Sequence, residues 1–371
     1  MEVVMTRAHP LDEHPRRGTT FTDMLVLTGT VALCVGALIP VLGPLNRLSS
    51  ESSSLAKLNR LNEAHACYAA DWNDRQVSWI PDDFAADGTD DAGTYTATRN
   101  CFSAMKLGWT TTENGNNALY AIWLECHAAS GSNNSFIDSY KPVGLTTTQP
   151  FGSFRLPNTQ RLRSYVSRRF YAPQWYAEGD YGYEFASTYF NIEGEFILPS
   201  QFEVELSSYS LSPAAMYDPG VLRKASEGGY QSPEDYPDTY RSPPVGACSH
   251  PAIKTRMIEH NWFRGAPNGQ NGSGFPWQFN HGLAAQPCTL FFDGSTSTLS
   301  TMQAWLDDLT VLGGTNGEDG LWSRDTGWQD DGHQGVYSLD MDTQVSHHIL
   351  TTEGIKGRDI LSRSRKGRNR R

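Results

Sequence analysis

The interpretation of the chain is decided by residues 16–45, which read Arg16-Arg17-Gly18, Thr19-Thr20-Phe21-Thr22-Asp23 and then 22 uncharged residues from Met24 to Leu45. A helix of that length reaches about 33 Å, enough to cross a hydrocarbon core roughly 30 Å thick. The stretch therefore predicts a membrane-spanning helix, with membrane lipid as a partner.

The order of the charges around this run indicates how the helix stays attached. An ordinary signal peptide is cut after its apolar stretch, at an Ala-x-Ala-like site that is missing here. A cut before the run would leave the helix joined to the chain. Arg7, Arg16 and Arg17 lie on the amino side and favour a cytoplasmic amino terminus, so the remainder is expected outside.

These residues resemble the leader and first mature residues of type IV pilins and type II secretion pseudopilins. Members of that family are cut after a glycine, begin with a methylated residue, usually Phe, carry Glu as the fifth mature residue and commonly have a proline as the twenty-second. With Gly18 as the last leader residue, Asp23 is fifth and Pro40 is twenty-second. Thr19 stands in place of the usual Phe, and Asp23 in place of Glu.

The resemblance implies specific partners and roles. A prepilin peptidase would cut between Gly18 and Thr19, and Asp23 would neutralise the new amino terminus of a neighbouring pilin-like subunit. Ala32 and Gly36 form a small-xxx-small pair through which such helices approach closely, and Pro40 is expected to kink the helix. A plain signal anchor is the alternative for the same stretch, with the same topology.

Beyond Leu45 the chain becomes polar but keeps helical spacing. Leu55, Leu58 and Leu61 recur every three residues, and Ala64 and Tyr68 extend the same stripe. This pattern predicts an amphipathic helix that continues as a stalk covered by the head. An ordinary amphipathic helix docked on a core predicts the same structure.

Charge is divided unevenly along the 371 residues. Residues 356–371 hold eight basic residues against Asp359 alone, and the body, without that tail and the amino-terminal charges, holds 19 basic and 36 acidic residues, a net charge of −17. Such a surface does not suit nucleic acid. The body is predicted to be a solvated or cation-attracting globule, and the tail a separate disordered element.

Cysteine usage leaves pairing open. Cys34 lies in the apolar run, and Cys67, Cys101, Cys126, Cys248 and Cys288 lie outside it. Five cysteines cannot all pair within one chain, so at least one is expected to be free or intermolecular. Because there is no Cys-x-x-Cys, a structural zinc site is not expected.

A second resemblance lies between residues 249 and 295. Large bacterial pseudopilin-like proteins carry a strand ending in Glu, then a His-Gly segment and an Asp-Gly turn; here His281 precedes Asp293 and Gly294 with eleven residues between. Asp-Gly between apolar runs is typical of a type I′ hairpin, so these two residues are interpreted as turn formers. His281 either bonds the turn, binds a ligand or lies on the surface; the structural role is favoured.

Two features follow this turn. Ser300 and Gln303 form a capping-box pattern that opens a helix, closed at Gly313 or Gly314. The loop from 314 to 335 holds clustered acids, of which Glu318, Asp319 and Asp325 are the candidate calcium ligands. A hard cation suits such carboxylates. Their spacing is not that of an EF-hand, and solvated acids are the alternative.

Catalytic motifs are absent from the sequence. It contains no Walker phosphate loop, dinucleotide glycine fingerprint, His-Glu-x-x-His pair or Gly-x-Ser-x-Gly elbow. Carboxylates such as Glu193, Glu195, Glu203, Glu205 and Glu259 are numerous, but glycosidase chemistry depends on their separation in space. No catalytic residues and no cofactor are therefore assigned.

The predicted fold class is α+β: a long amino-terminal membrane-spanning helix that continues into an amphipathic stalk, followed by a large β-rich, pilin-like head. The expected parts are a leader at 1–18, the anchor and stalk at 19–80, the head at 81–355 and a basic tail at 356–371. The predicted function is a structural subunit or accessory of a type II secretion or type IV pilus-like assembly. Its predicted location is the bacterial inner membrane, single-pass, with the head periplasmic or extracellular. The alternative is a tethered binding module or glycan-active enzyme.

Overall fold

The computed structural model describes residues 20–80, 105–111, 114–122, 140–145, 152–197, 204–233, 237–259, 286–324, 326 and 347–363. The chain divides into two compact units, Met1–Ser49 and Ser50–Arg371. Each unit is described separately below.

The first helix, α1, runs from Phe21 to Asp71. Within the described ranges, no helix is both long enough and apolar enough to cross a membrane. The predicted membrane-spanning helix, its single-pass topology and the location in a bacterial inner membrane with an outward-facing head are therefore wrong.

The side chains described at the start of α1 include both apolar and polar groups. Met24 to Leu27 are apolar, and two threonines follow that bond back along the helix. The Thr28 hydroxyl donates to the carbonyl of Met24 at 2.6 Å, and the Thr30 hydroxyl donates to the carbonyl of Val26 at 2.7 Å.

In the second unit, α1 buries one face. Ser54, Leu58, Leu61, His65 and Tyr68 recur at intervals of three and four residues, and all five are buried. This spacing places them in one stripe along the helix. The amphipathic pattern seen in the sequence is therefore present, and its apolar face lies in the main core.

Six short strands form two antiparallel sheets in the described part of the second unit. A two-stranded sheet pairs β1 with β2, and a four-stranded sheet has the order β3-β4-β5-β6. Their bounds are β1 Met105–Thr111, β2 Asn117–Ile122, β3 Tyr209–Leu211, β4 Thr255–Glu259, β5 Cys288–Phe291 and β6 Thr296–Thr298.

The remaining helices are mostly short. They are α2 Gln160–Arg163, α3 Tyr181–Ser187, α4 Pro213–Met216 and α5 Thr301–Gly314. Single 3-10 turns lie at Ser153–Arg155, Pro173–Trp175, Ala225–Glu227, Pro237–Tyr240, Val245–Ala247 and Gly354–Lys356. The predicted cap is present at α5, where the Ser300 hydroxyl accepts from the Gln303 amide at 3.3 Å.

The prediction of a β-rich, pilin-like head is wrong for the described residues. The longest strand, β1, has seven residues, and turns and short helices make up most of the rest. Side chains replace strand ladders as partners of the backbone: Arg169 donates to the carbonyls of Phe190 at 2.8 Å and Tyr189 at 3.0 Å. Such bonds satisfy buried backbone groups without a sheet.

The predicted separate tail is wrong for residues 356–363. Asp359 is fully buried and forms an ion pair at 3.2 Å with Lys254, whose side chain is also fully buried. Thr351 donates to the same carboxylate at 2.5 Å and accepts from the Lys254 ammonium at 2.6 Å. Although burial alone would raise it, the pKa of Asp359 is about 2, because the Lys254 ammonium and these hydrogen bonds favour the carboxylate.

Candidate functional site

A groove of about 500 Å³ lies in the second unit, between the carboxyl-terminal half of α1, the turn at Val245 and the β5–β6 turn. We call it the Arg256 groove. It is lined by Asn62, Ala66, Ala69, Ala70, Asp74, Val245, Arg256, Phe292, Asp293 and Gly294. Its volume lies within the range of small-ligand sites in proteins.

The Asp-Gly motif predicted from the sequence forms one edge of this groove. The turn joins β5 to β6, which pair antiparallel. It is not the type I′ turn expected from the sequence, because Gly294 has positive φ and Asp293 does not. Asp293 accepts from the backbone amide of Ser295 at 2.9 Å and from its hydroxyl at 2.5 Å. Arg363 pairs with the same carboxylate at 3.2 Å and stacks on the ring of Phe291. The charge of Asp293 is therefore already compensated.

Gly294 is required at this edge for two reasons. Its φ of +82° lies in the left-handed region, where residues with a Cβ are strained. A Cβ added there would also lie 2.8 Å from the side-chain nitrogen, Nδ2, of Asn62 on α1. The turn can approach the helix this closely because position 294 has no side chain.

The opposite edge is held by the end of α1. Asn73 and Asp74 follow the helix with φ of 52° and 64°. The Asp74 carboxylate accepts from the amide of Gly246 at 2.8 Å, and the Asp74 carbonyl accepts from the amide of Val245 at 2.8 Å. Two left-handed residues in succession cost free energy, so these bonds fix the edge in place.

Arg256 projects into the groove from an irregularity in the sheet. Between β4 and β5, Thr255 pairs with Phe291 and Met257 pairs with Leu290, so that Arg256 is the extra residue of a β-bulge. Bulges redirect a side chain relative to the regular alternation of a strand. On the other side of β4, the Arg256 carbonyl accepts from the amide of Ser212 at 2.9 Å.

The Arg256 guanidinium is buried, and its surroundings among the described residues are mostly apolar. The residue is 6% exposed, and its cation lies 5.5 Å from the centroid of the Phe292 ring. Among the residues that the structure describes, none forms a hydrogen bond or ion pair with it. Burial lowers the pKa of Arg256 to about 10, against the opposing effect of the Asp74 carboxylate, so the group is charged at neutral pH.

A second polar group, the Glu259 cluster of Ser54, Tyr209, Glu259 and Cys288, joins α1 to the sheet. The Ser54 hydroxyl is hydrogen-bonded to Glu259 and lies 2.8 Å from the Tyr209 hydroxyl, and the Cys288 amide donates to Glu259 at 3.0 Å. Burial raises the pKa of Glu259 to about 8. This neutral acid is enclosed in the core, where the cluster acts as a structural connection.

Several predicted site residues fall outside the described part of the chain. Gly18, Thr19, His281 and Asp325 lie outside the described residues. Asp23, Ala32, Gly36 and Pro40 fall within α1, but their side chains are outside the description. The processing and assembly roles given to these residues stay predictions, as does any contact of His281 with the Asp293–Gly294 turn.

Two of the three candidate calcium ligands, Glu318 and Asp319, lie in the described part of the chain. Asp319 accepts from the backbone amide of Ser226 at 3.1 Å and from its hydroxyl at 2.6 Å, and these bonds lower the pKa of its carboxyl. Glu318 is exposed. Within the described ranges, no group of three or more His, Cys, Asp or Glu residues is placed to hold a metal ion.

Of the cysteines, Cys67, Cys248 and Cys288 are free thiols. Cys101 and Cys126 lie outside the described residues, as does the side chain of Cys34. Of the carboxylates considered for glycosidase chemistry, Glu195 pairs with Arg163 at 3.2 Å and Glu259 is enclosed as described above.

Sequence reasoning did not identify Arg256 or Asp74 as site residues. A signal exists at Arg256, a charged residue directly before the apolar pair Met257 and Ile258 in the strand Thr255–Glu259. No comparable signal marks Asp74, whose position follows from the tertiary bonds to residues 245 and 246. The pairing that creates the bulge joins strands distant in sequence.

Comparisons with known proteins add no family assignment: no family model, no curated protein and no solved structure matches this chain.

Proposed function

We propose that this protein is a pseudopilin-like structural subunit that assembles with other pilin-like subunits through the amino-terminal part of α1. The observation that supports this most directly is the exposure of large apolar side chains at the start of the helix. Phe21 is 81% exposed, and Met24 and Leu25 are each 59% exposed. Val26 and Leu27 are similarly exposed.

The position of these residues argues for an extended contact. Met24, Leu25, Val26 and Leu27 are consecutive, so they point in four directions around the helix axis. A helix that is apolar on all sides is stable in water only when other elements surround it. Packing with equivalent helices of other subunits would cover these side chains.

The resemblance at residues 16–40 supports the same function. In that family, removal of a leader precedes assembly, and the expected cut follows Gly18. Mass spectrometry of the amino terminus of the protein from its native host tests this step. A chain that begins with methylated Thr19 supports assembly, whereas an intact leader contradicts the processing step.

Assembly itself is tested by sedimentation velocity of the full chain over a range of concentrations. Replacing Leu25 and Val26 with lysine is expected to abolish self-association, because the cations would have to be buried between helices. The matched control replaces Leu306 and Leu309 with lysine. These are also exposed leucines, but they lie on α5.

The proposal requires that lysine at positions 25 and 26 abolishes self-association and that lysine at positions 306 and 309 leaves it unchanged. If the wild-type protein stays monomeric and instead binds lipid vesicles, the assembly function is contradicted. Equal loss of association in both double variants would contradict the assignment of the contact to the start of α1.

A further inference from the structure

We propose that the Arg256 groove binds a free α-amino acid with an apolar side chain. The ligand carboxylate would lie on Arg256, its ammonium group near Asp74, and its side chain on the apolar wall of the groove. This site is separate from the assembly contact proposed above.

The carboxylate position follows from the state of Arg256. Its guanidinium presents donors in a planar fork that matches a carboxylate, and no described residue occupies them. A buried cation without a hydrogen-bonded partner is costly, so a ligand that supplies an anion gains from an interaction that no described residue makes. The Phe292 ring, whose centroid is 5.5 Å from the cation, lines the same groove.

The ammonium position follows from the charge balance. Asp74 lines the groove and is close enough to Arg256 to affect its pKa. Asp293 also lines the groove, but Arg363 compensates it. A simple anion would meet Asp74, and a simple cation would meet Arg256. A ligand that carries both charges on one carbon complements both groups.

The nature of the ligand side chain follows from the remaining wall. Ala66, Ala69 and Ala70 on α1 contribute methyl groups, and Val245 and Phe292 contribute larger apolar surfaces. The small residues leave space beside the helix, and contact with apolar walls favours an apolar ligand group. Leucine is therefore the probe of choice.

Isothermal titration calorimetry of the full chain with three matched compounds tests the charge requirement. L-leucine carries both charges, 4-methylpentanoate lacks the ammonium group, and 3-methylbutylamine lacks the carboxylate. We expect leucine to bind at least tenfold more tightly than either analogue. Equal binding of leucine and 4-methylpentanoate would overturn the zwitterion assignment, and the absence of leucine binding would overturn the site.

Variants locate the binding. Arg256→Met is expected to weaken leucine binding at least tenfold, whereas Lys224→Met removes a half-buried cation outside the groove and should leave leucine binding unchanged. Asp74→Asn is expected to reduce the preference for leucine over 4-methylpentanoate. Unchanged leucine binding in Arg256→Met would overturn the proposal.

A second variant does not depend on removing the buried cation. Ala66 is an exposed position on α1, so Ala66→Phe is expected to fold and to fill the groove, with at least a tenfold loss of leucine binding. Ala56→Phe adds the same bulk at another exposed position of the same helix, outside the lining, and should bind leucine as the wild type does. Retained binding in Ala66→Phe would contradict the location.

Discussion

The two parts of α1 carry the same kinds of apolar residue in opposite surroundings. Leu25, in the first unit, is mostly exposed, whereas Leu58 and Leu61, in the second, are fully buried. Helical propensity and residue type are similar in both. The difference shows that an apolar helix face becomes a core only where a folded body covers it, and that elsewhere it remains available for contact between molecules.

The largest expected effect on the free energy of unfolding comes from truncating a buried leucine in the part of α1 that belongs to the second unit. Leu61→Ala should reduce the free energy of unfolding of the second unit by about 2–5 kcal/mol, since it leaves a cavity in a packed core. Leu25→Ala, the matched change in the exposed part, should alter it by less than about 0.5 kcal/mol. Urea unfolding followed by tryptophan fluorescence measures both. Equal losses would show that both parts of α1 are covered by the same body.

The connection between α1 and the sheet at Glu259 should make stability depend on pH. Burial raises the pKa of Glu259 to about 8, compared with about 4.3 for an unfolded glutamate. The folded chain therefore keeps a proton that the unfolded chain loses, so this stabilising contribution is full below pH 4.3 and is lost as pH rises through 8.

Glu259→Gln replaces the acid with a neutral group of similar shape and should remove that dependence. We expect little difference from the wild type near pH 4.5 and a more stable variant at pH 9, by on the order of 3 kcal/mol. Denaturant unfolding at the two pH values under reducing conditions measures it. Glu227→Gln, at an exposed ion pair with Lys224, is the control. A constant difference between Glu259→Gln and wild type at both pH values would contradict the prediction.

A smaller effect is expected where the β5–β6 turn meets the second part of α1. Gly294→Ala should destabilise the second unit by about 1–2 kcal/mol, since the residue has positive φ and its added Cβ would displace Asn62. Thermal unfolding measures the change.

Gly313→Ala is the matched control, because Gly313 lies in α5 with no atom near the added Cβ. It should stabilise the protein by about 0.5–1 kcal/mol through helix propensity. A destabilisation of equal size in both variants would mean that the contact between Gly294 and α1 is not the cause.

Local features of the fold could be predicted from sequence. The stripe through Leu58, Leu61 and Tyr68, the Asp293–Gly294 turn and the Ser300 cap each depend on residues within one or two turns of chain. Their positions follow from backbone preferences and short-range hydrogen bonds, although the turn is not of the type I′ that the sequence predicts. For that reason they are present where the patterns placed them.

Features that depend on distant pairs could not be predicted. Asp359 reads as the one acid in a basic tail, but it neutralises Lys254, 105 positions away, in the core. Arg256 reads as a charged residue in a strand, and only the pairing of β4 with β5 makes it the extra residue of a bulge. The membrane-spanning interpretation and the β-rich head were wrong in the described residues for reasons given above.

The amino-acid sequence alone determined the helical periodicity of α1, the position of the tight turn and the start of α5, because these depend on neighbours along the chain. Tertiary structure decided which apolar face is covered, which acid is neutral and which cation lines the groove. Burial and charge compensation depend on groups brought together from separate segments, and no local pattern records them.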